Sequence, residues 1–274
     1  IWGPVRGETF LDEHYILAII DVFSGNLTVY AMQAKSEAPK CLEMYFRENE
    51  NRDGITFRGG ILYGDNEVTL NSQAVRALCH QQYGVTPKNA VEYEPWTNGI
   101  AERSLRSMTE IAKRMHVQGN ATRYWFRFSM TQAAYLLNRV GHPWTASENT
   151  SPSEIWNGRK PDLSTCRTMF HQAWVPVPPP HRGGKGPSED GMRDRAMCLG
   201  NSRSKPGLLF VILDGPREGK IVASTQALCE EDTFPLQAGP QAAPFHIPSP
   251  RVAFQLEDDT DDTPVSYTHL RAHE

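Results

Sequence analysis

Long apolar runs and paired cysteines are missing from this 274-residue sequence, and each absence removes a class of function. No stretch approaches the roughly 20 residues that a membrane-crossing helix needs, and the first residues lack the pattern of a secretory signal. The five cysteines, Cys41, Cys79, Cys166, Cys198 and Cys229, are odd in number and far apart. With no C-x-x-C pair they point away from a zinc module or a disulfide framework and toward a reducing, intracellular compartment. Among the nine histidines, His14, His80, His116, His142 and His171 form no i,i+4 pair and no H-E-x-x-H arrangement, so metal held by imidazole is not expected. A surplus of positive charge is missing too, since the net charge is -4. That average hides segregation: residues 99–140 carry seven Lys and Arg against two Asp and Glu, whereas residues 251–274 carry two against six. The chain opens on Ile1 rather than Met and reads as a fragment of a longer protein.

What is present has the order of an α/β domain. HYILAIID (14–21) and NLTVYAMQ (26–33) are β-branched and aromatic runs around Phe23-Ser24-Gly25, the pattern of a hairpin. Residues 36–49, with a candidate cap at Ser36, place Cys41, Leu42, Tyr45 and Phe46 at helical spacing. GILY (60–63) reads as a buried strand ending at Gly64-Asp65. Helical patterns follow over 72–83, from Asn98 or Gly99 to about Gln118, and over 122–140. The expected architecture is a mixed sheet flanked by helices. Composition then changes: 175–196 is read as a Pro/Gly-rich linker after a unit spanning 1–174, and 197–235 as a small β unit with strands near 207–213 and 220–224. Residues 236–274 are expected to be a disordered tail, its last ten residues resembling a tail of cloning origin.

The positive segment contains a carboxylate that asks for a reason. On a helical wheel Leu105, Met108, Ile111, Ala112 and Met115 form an apolar arc, and Glu102, Arg106, Thr109 and Lys113 a separate polar stripe. One account is local, an i,i+4 pair from Glu102 to Arg106 and an acid placed in the first turn to suit the helix dipole. The other is chemical. Asp65 stands at the C-terminal end of a strand, where ligands of α/β sheets bind, and two carboxylates so placed can share hard Mg²⁺ or Mn²⁺ ions. Two such ions activate a water or a 3'-hydroxyl and stabilise the leaving oxygen of a phosphodiester, while Arg106 and Lys113 face phosphates.

YGDN (63–66) and NGIAER (98–103), with 36 residues between Asp65 and Glu102, resemble the Asp and Glu blocks of the retroviral integrase catalytic core in the form found in copia-type retrotransposons. IIDVFSG (19–25), YLLNR (135–139) and SPSEIWNGRKP (151–161) extend the likeness, and residues 197–224 are similar to the small β unit that follows that core. The resemblance implies an RNase H-like fold and a metal-dependent enzyme that trims retroelement DNA ends and joins them to target DNA. Asp65 and Glu102 would hold Mg²⁺ or Mn²⁺, with Asn98, Arg106 and Lys113 on DNA. It further implies a homo-oligomer free of membrane, acting in the nucleus after a cytoplasmic or virus-like-particle stage. Two departures accompany it. The family's first acid precedes an apolar-x-Gly-Pro run, which here is Ile1-Trp2-Gly3-Pro4, so the matching aspartate would stand immediately before Ile1. The His/Cys zinc module expected upstream is absent as well. A non-catalytic DNA-binding or assembly remnant is therefore the competing expectation.

Several other residues carry two readings each. Asn66 either orients Asp65 or serves as a turn residue. Asn98-Gly99 either hinges a loop over 91–97 or starts a helix. Trp96 either stacks on bases or packs under its own loop. Asp21 matches the family's second strand and is set aside as a metal ligand. Trp125, Phe126, Phe128 and Tyr135 are expected in the core or at a subunit interface, and Arg123, Arg127 and Arg139 add to the positive segment.

Overall fold

The computed structural model describes residues 1–54, 56–64, 72–89, 95–140, 150–178 and 193–237. Two strands, β1 (Tyr15–Ile20) and β2 (Leu27–Met32), pair antiparallel in the register Tyr15 to Met32 through Ile20 to Leu27. At their turn Asp21 Oδ2 accepts from the Ser24 amide at 2.7 Å and the Ser24 hydroxyl at 2.6 Å, a local role that explains the acid without metal. Both faces of the hairpin are apolar, as the unbroken β-branched runs require. Leu17, Ile19, Tyr30 and Met32 pack on Leu42, Tyr45 and Phe46 of α1 (Ala38–Asp53). Ile16, Leu27 and Val29 pack on the opposite side, against Met108, Ala112, Phe126 and Met130.

Extended residues at the N-terminus continue this layer. Trp2 and Ile16 exchange both backbone hydrogen bonds at 2.9 Å, and the Val5 amide donates to the His14 carbonyl. The segment from Trp2 to Val5 therefore lies along β1, and Ile1 packs on the cluster that also holds Leu62. A parallel pair, β3 (Ile61–Gly64) and β4 (Thr86–Asn89), is joined through α2 (Gln73–Ala77) and a π-helical turn at Leu78–Gln82. Antiparallel and parallel pairs with helices on both sides make the mixed α/β architecture anticipated from the element order, although among the described residues no ladder joins β1–β2 to β3–β4.

Three local expectations need correction. Ser36 does not cap α1; Lys35–Glu37 form a 3-10 turn and Glu37 precedes the helix. Strand β3 is not buried, with Ile61 47% and Tyr63 44% exposed. Its apolar run serves a two-stranded ribbon that buries one face only. Helix α3 (Pro95–Gly119) starts three residues ahead of Asn98, because a proline is well placed in a first helical turn, where its missing N–H costs nothing.

Helix α4 (Phe126–Leu137) lies across β2 and α3. Its end explains YLLNR: the Asn138 amide group donates to the Leu27 carbonyl and accepts from the Leu27 amide, each at 2.8 Å, standing in for a strand beside β2. Helix α5 (Pro152–Asn157) explains SPSE by capping. Ser151 Oγ accepts from the Glu154 amide at 3.2 Å, Pro152 opens the helix, and the Ser153 amide donates to the Asn138 carbonyl.

The C-terminal unit is a five-stranded antiparallel sheet in the order β8-β7-β6-β5-β9, with β5 Gln172–Pro176, β6 Arg193–Asn201, β7 Leu208–Ile212, β8 Ile221–Ser224 and β9 Leu228–Glu230. It is wider than the expected 197–235. Strand β5 precedes the proline-rich stretch, β6 starts at Arg193, and the ends of the expected 175–196 linker are thus strand. Nor does the sheet stand apart. Phe10, Tyr124, Trp125 and Phe128 share one buried cluster with Met197, Leu199, Val211 and Leu213. A bulge between Cys198 and Gly200 lets the Asn201 amide reach Gln132 Oε1 at 2.8 Å. Gly200 is required there: its φ is +100° and a Cβ would fall 2.7 Å from Gln132 Oε1. Arg203 adds a polar clamp, donating to the Val29 carbonyl, the Tyr30 hydroxyl and Glu48. Leu236 and Gln237, assigned to the tail by composition, are held by Asn120 and the Gln118 carbonyl. Residues 238–274 lie outside the described residues.

Candidate nucleic-acid interface

Helix α3 places the site. Met108 and Ala112 are buried, Leu105 and Ile111 pack beside them, and Met115 reaches the cluster shared with the C-terminal sheet, so the apolar arc faces inward as the wheel requires. Glu102, Arg106 and Lys113 are exposed on the remaining face. Thr109, on the same stripe, is half-buried and spends its hydroxyl on the Leu105 carbonyl at 2.7 Å. Because α3 begins at Pro95, Glu102 lies about two turns into the helix rather than in its first turn, which removes most of the dipole account. The i,i+4 account fails as well, since Arg106 makes no ion pair among the described residues.

Ion pairing elsewhere separates structural from available cations. Arg127 donates to Glu13, Arg167 pairs with Glu231, Arg195 with Asp214, Arg203 with Glu48 and Arg217 with Asp194. Arg139 lies over the Tyr135 ring at 3.3 Å and donates to the Tyr135 carbonyl. Arg127 and Arg139 therefore belong to the scaffold and not to an outward positive face, contrary to the sequence expectation. Arg106, Lys113, Arg114 and Arg123 are exposed with no acid partner among the described residues. Trp125, Phe126 and Phe128 are core residues, 2%, 5% and 7% exposed, and Tyr135 is half-buried.

Asp65 and Asn66 lie outside the described residues, as do the side chains of Trp96 and Asn98; the Asn98 backbone is part of α3. Strand β3 ends at Gly64, the residue before Asp65, and α3 packs beside β3 and β1. Of the expected metal ligands, Glu102 fits the requirement: a solvent-facing oxygen donor of the kind hard divalent cations take. One carboxylate does not make a site, and among the described residues no group of three or more His, Cys, Asp or Glu is placed to hold a metal. His14, His116 and His171 are tied to the scaffold by hydrogen bonds. His116 contacts the Ala121 carbonyl through Nδ1 and Ser129 Oγ through Nε2. A carbonyl can only accept, so Nδ1 carries a proton, while the Ser129 hydroxyl at Nε2 also lies 2.9 Å from the Phe126 carbonyl. Burial holds the pKa of His116 below the ordinary histidine range and does the same at His171. No helix among the described residues is long and apolar enough to cross a membrane.

Sequence reasoning overlooked a second group of cations. Arg76 of α2 and Lys88 of β4 line one cleft with His80, Thr86 and Pro87. Charge alone distinguished Arg76 and Lys88 in the sequence, and only the crossover from β3 through α2 to β4 brings them together.

No family model matches the chain. In sequence it is 24% identical over 182 residues to the retrovirus-related Pol polyprotein from transposon TNT 1-94 of Nicotiana tabacum, covering 66% of this chain and 13% of the relative. It is 23% identical over 224 residues to the corresponding polyprotein from transposon RE2 of Arabidopsis thaliana, covering 81% of this chain and 14% of that one. The chain thus spans only 13–14% of the length of these relatives. Among solved structures, a chain of the simian T-cell lymphotropic virus intasome in complex with PP2A regulatory subunit B56 gamma has a TM-score of 0.44 at 14% identity, over 83% of this chain and 76% of that chain. The catalytic core domain of BIV integrase gives 0.39 at 18% identity, over 52% of this chain and 84% of that one. In sequence the chain is thus similar, over 66–81% of its length, to retrovirus-related Pol polyproteins of transposons.

Proposed function

We propose that this chain is the catalytic-core region of a retroelement integrase, processing the 3' ends of element DNA and joining their 3'-hydroxyls to target DNA. The observation that carries the reading is the outward stripe of α3, where Glu102 stands with Arg106 and Lys113, two exposed cations that make no ion pair among the described residues. A surface of that composition suits a polyanion whose phosphates meet the cations while the carboxylate serves chemistry at one of them.

In this mechanism Arg106 and Lys113 hold backbone phosphates, fixing the register of the DNA over the helix. Asn98, one turn ahead of Glu102, contacts the DNA beside the reacting phosphate. Glu102 and Asp65 act as the anionic ligands at the site. Bound Mg²⁺ or Mn²⁺ would supply Lewis acidity at the scissile phosphodiester and lower the pKa of the attacking hydroxyl. The buried face of α3 keeps Glu102 in place relative to β3, so that the acid is positioned before DNA arrives. A homo-oligomer acting in the nucleus, reached through the cytoplasm or a virus-like particle, accords with two DNA ends being joined to one target.

The test is a strand-transfer assay in Mg²⁺ and Mn²⁺ on a form with an aspartate joined ahead of Ile1, where the family likeness puts the third acid. Glu102→Gln is expected to reduce joining by roughly 100-fold or more while leaving duplex binding intact. Undiminished joining by that variant would overturn the mechanism. Duplex binding without joining in every form would favour a non-catalytic DNA-binding part of the polyprotein.

A further inference from the structure

Resting on the reading of this chain as a nucleic-acid enzyme, we propose that the cleft between α2 and β4 is a second nucleic-acid site, separate from the α3 stripe, that takes the backbone of an unpaired strand. Arg76, His80 and Lys88 line it together with Thr86 and Pro87, and among the described residues no acidic side chain contributes to its wall. Arg76 and His80 are four residues apart on consecutive helical turns and so share a face. Lys88 reaches the same cleft from β4, and all three side chains are exposed.

Concavity distinguishes this cleft from the α3 stripe, whose cations likewise lack acid partners among the described residues. Five arginines elsewhere are matched to carboxylates, whereas Arg76 and Lys88 have neither an ion pair nor a side-chain hydrogen bond among the described residues, and His80 has none either. Cations converging on a concavity without counter-charge repel one another, and a chain of phosphates relieves that repulsion. An exposed aromatic ring stands on the strand paired with β4, beside the residues that line the cleft. Tyr63 is in register with Lys88 across the β3–β4 pair and leaves 44% of its surface in solvent, although it belongs to an otherwise apolar strand. A base stacks on an exposed tyrosine only when it is free of its complement, and cations interleaved with an aromatic are how unpaired strands are held without regard to sequence. Strand β3 ends at Gly64, which in sequence separates Tyr63 from the proposed ligand Asp65. The site thus suits the frayed or single-stranded end of a DNA substrate.

The experiment measures binding of a fluorescent oligothymidylate and of a blunt duplex at several salt concentrations. The proteins compared are the parent chain, Arg76→Gln with Lys88→Gln, Tyr63→Leu, and Arg106→Gln with Lys113→Gln, each checked for an unchanged thermal melt. The cleft double variant is expected to lower the salt slope for oligothymidylate by about 1.4, about 0.7 for each phosphate that is no longer neutralised. Tyr63→Leu is expected to weaken oligothymidylate binding about tenfold and leave duplex binding unchanged. Oligothymidylate binding unaffected by both cleft variants would overturn this proposal, even if the α3 variant lost duplex binding and so upheld the integrase reading. Loss through the cleft variants with no effect of the α3 variant would uphold the cleft and count against the α3 reading. An equal loss toward heparin in the Tyr63→Leu variant would show a general polyanion surface and overturn the assignment to an unpaired strand.

Discussion

At the scale of single residues, the scaffold is tied by charged groups taken partly out of water, and Glu13 shows the consequence most plainly. Its carboxylate lies 2.8 Å from Arg127 and is largely buried, and burial outweighs the guanidinium to push its pKa up to about 7. In the unfolded chain the same group titrates near 4.5, so between 4.5 and 7 the folded state holds more protons. The stability this contributes is complete below 4.5 and is lost as pH rises through 7, a change on the order of 3 kcal/mol. His116 and His171, held low by burial, act in the opposite sense and lose stability as pH falls below 6.5. Urea unfolding at a series of pH values separates the two. Glu13→Gln is expected to remove the decline between 4.5 and 7 and to leave the histidine slope; an unchanged difference between pH 5 and pH 7 would refute the assignment.

Each face of α3 has its own role at the scale of the element, and substitutions should separate them. Met108 is fully buried, so Met108→Ala is expected to cost about 2–5 kcal/mol in urea unfolding. Lys113→Gln should leave stability within about 0.5 kcal/mol and weaken duplex binding, more at low salt than at high. Both faces were legible in the sequence because a period of 3.6 is a property of the chain alone, and so was the hairpin, whose strands begin and end within one residue of the apolar runs. What was not legible depended on partners distant in sequence. Gln172–Pro176 alternates buried Ala173 and Val175 with half-buried neighbours, yet Pro176 and the prolines after it concealed a strand that β6 and β9 stabilise. The exposure of β3 likewise follows from the small size of its ribbon and not from its own apolar residues. Glu102 could be identified as an acid in a basic segment, but its depth in the helix could not, because it depends on whether Pro95 opens the helix or ends a loop.

For the whole molecule, the shared cluster of Phe10, Tyr124, Trp125, Phe128, Met197, Leu199, Val211 and Leu213 makes the α/β layer and the five-stranded sheet one cooperative body, with Arg203 and Gln132 as polar fastenings. Strand β5 sits between β6 and β9, and it is covalently continuous with the α/β layer through Phe170 and His171. A single peptide bond cut between Pro178 and Arg193 would therefore separate the chain into two pieces without separating the particle: the first would retain β5 as a tongue inserted into the sheet of the second. Such a nicked protein is expected to elute as one species in size-exclusion chromatography and to fall apart only in denaturant. The two segments, produced together as independent polypeptides, should reconstitute the same complex. Covalent continuity at this place is dispensable to the architecture, because the hydrophobic cluster and the antiparallel ladders, not the connecting peptide, hold the halves in register.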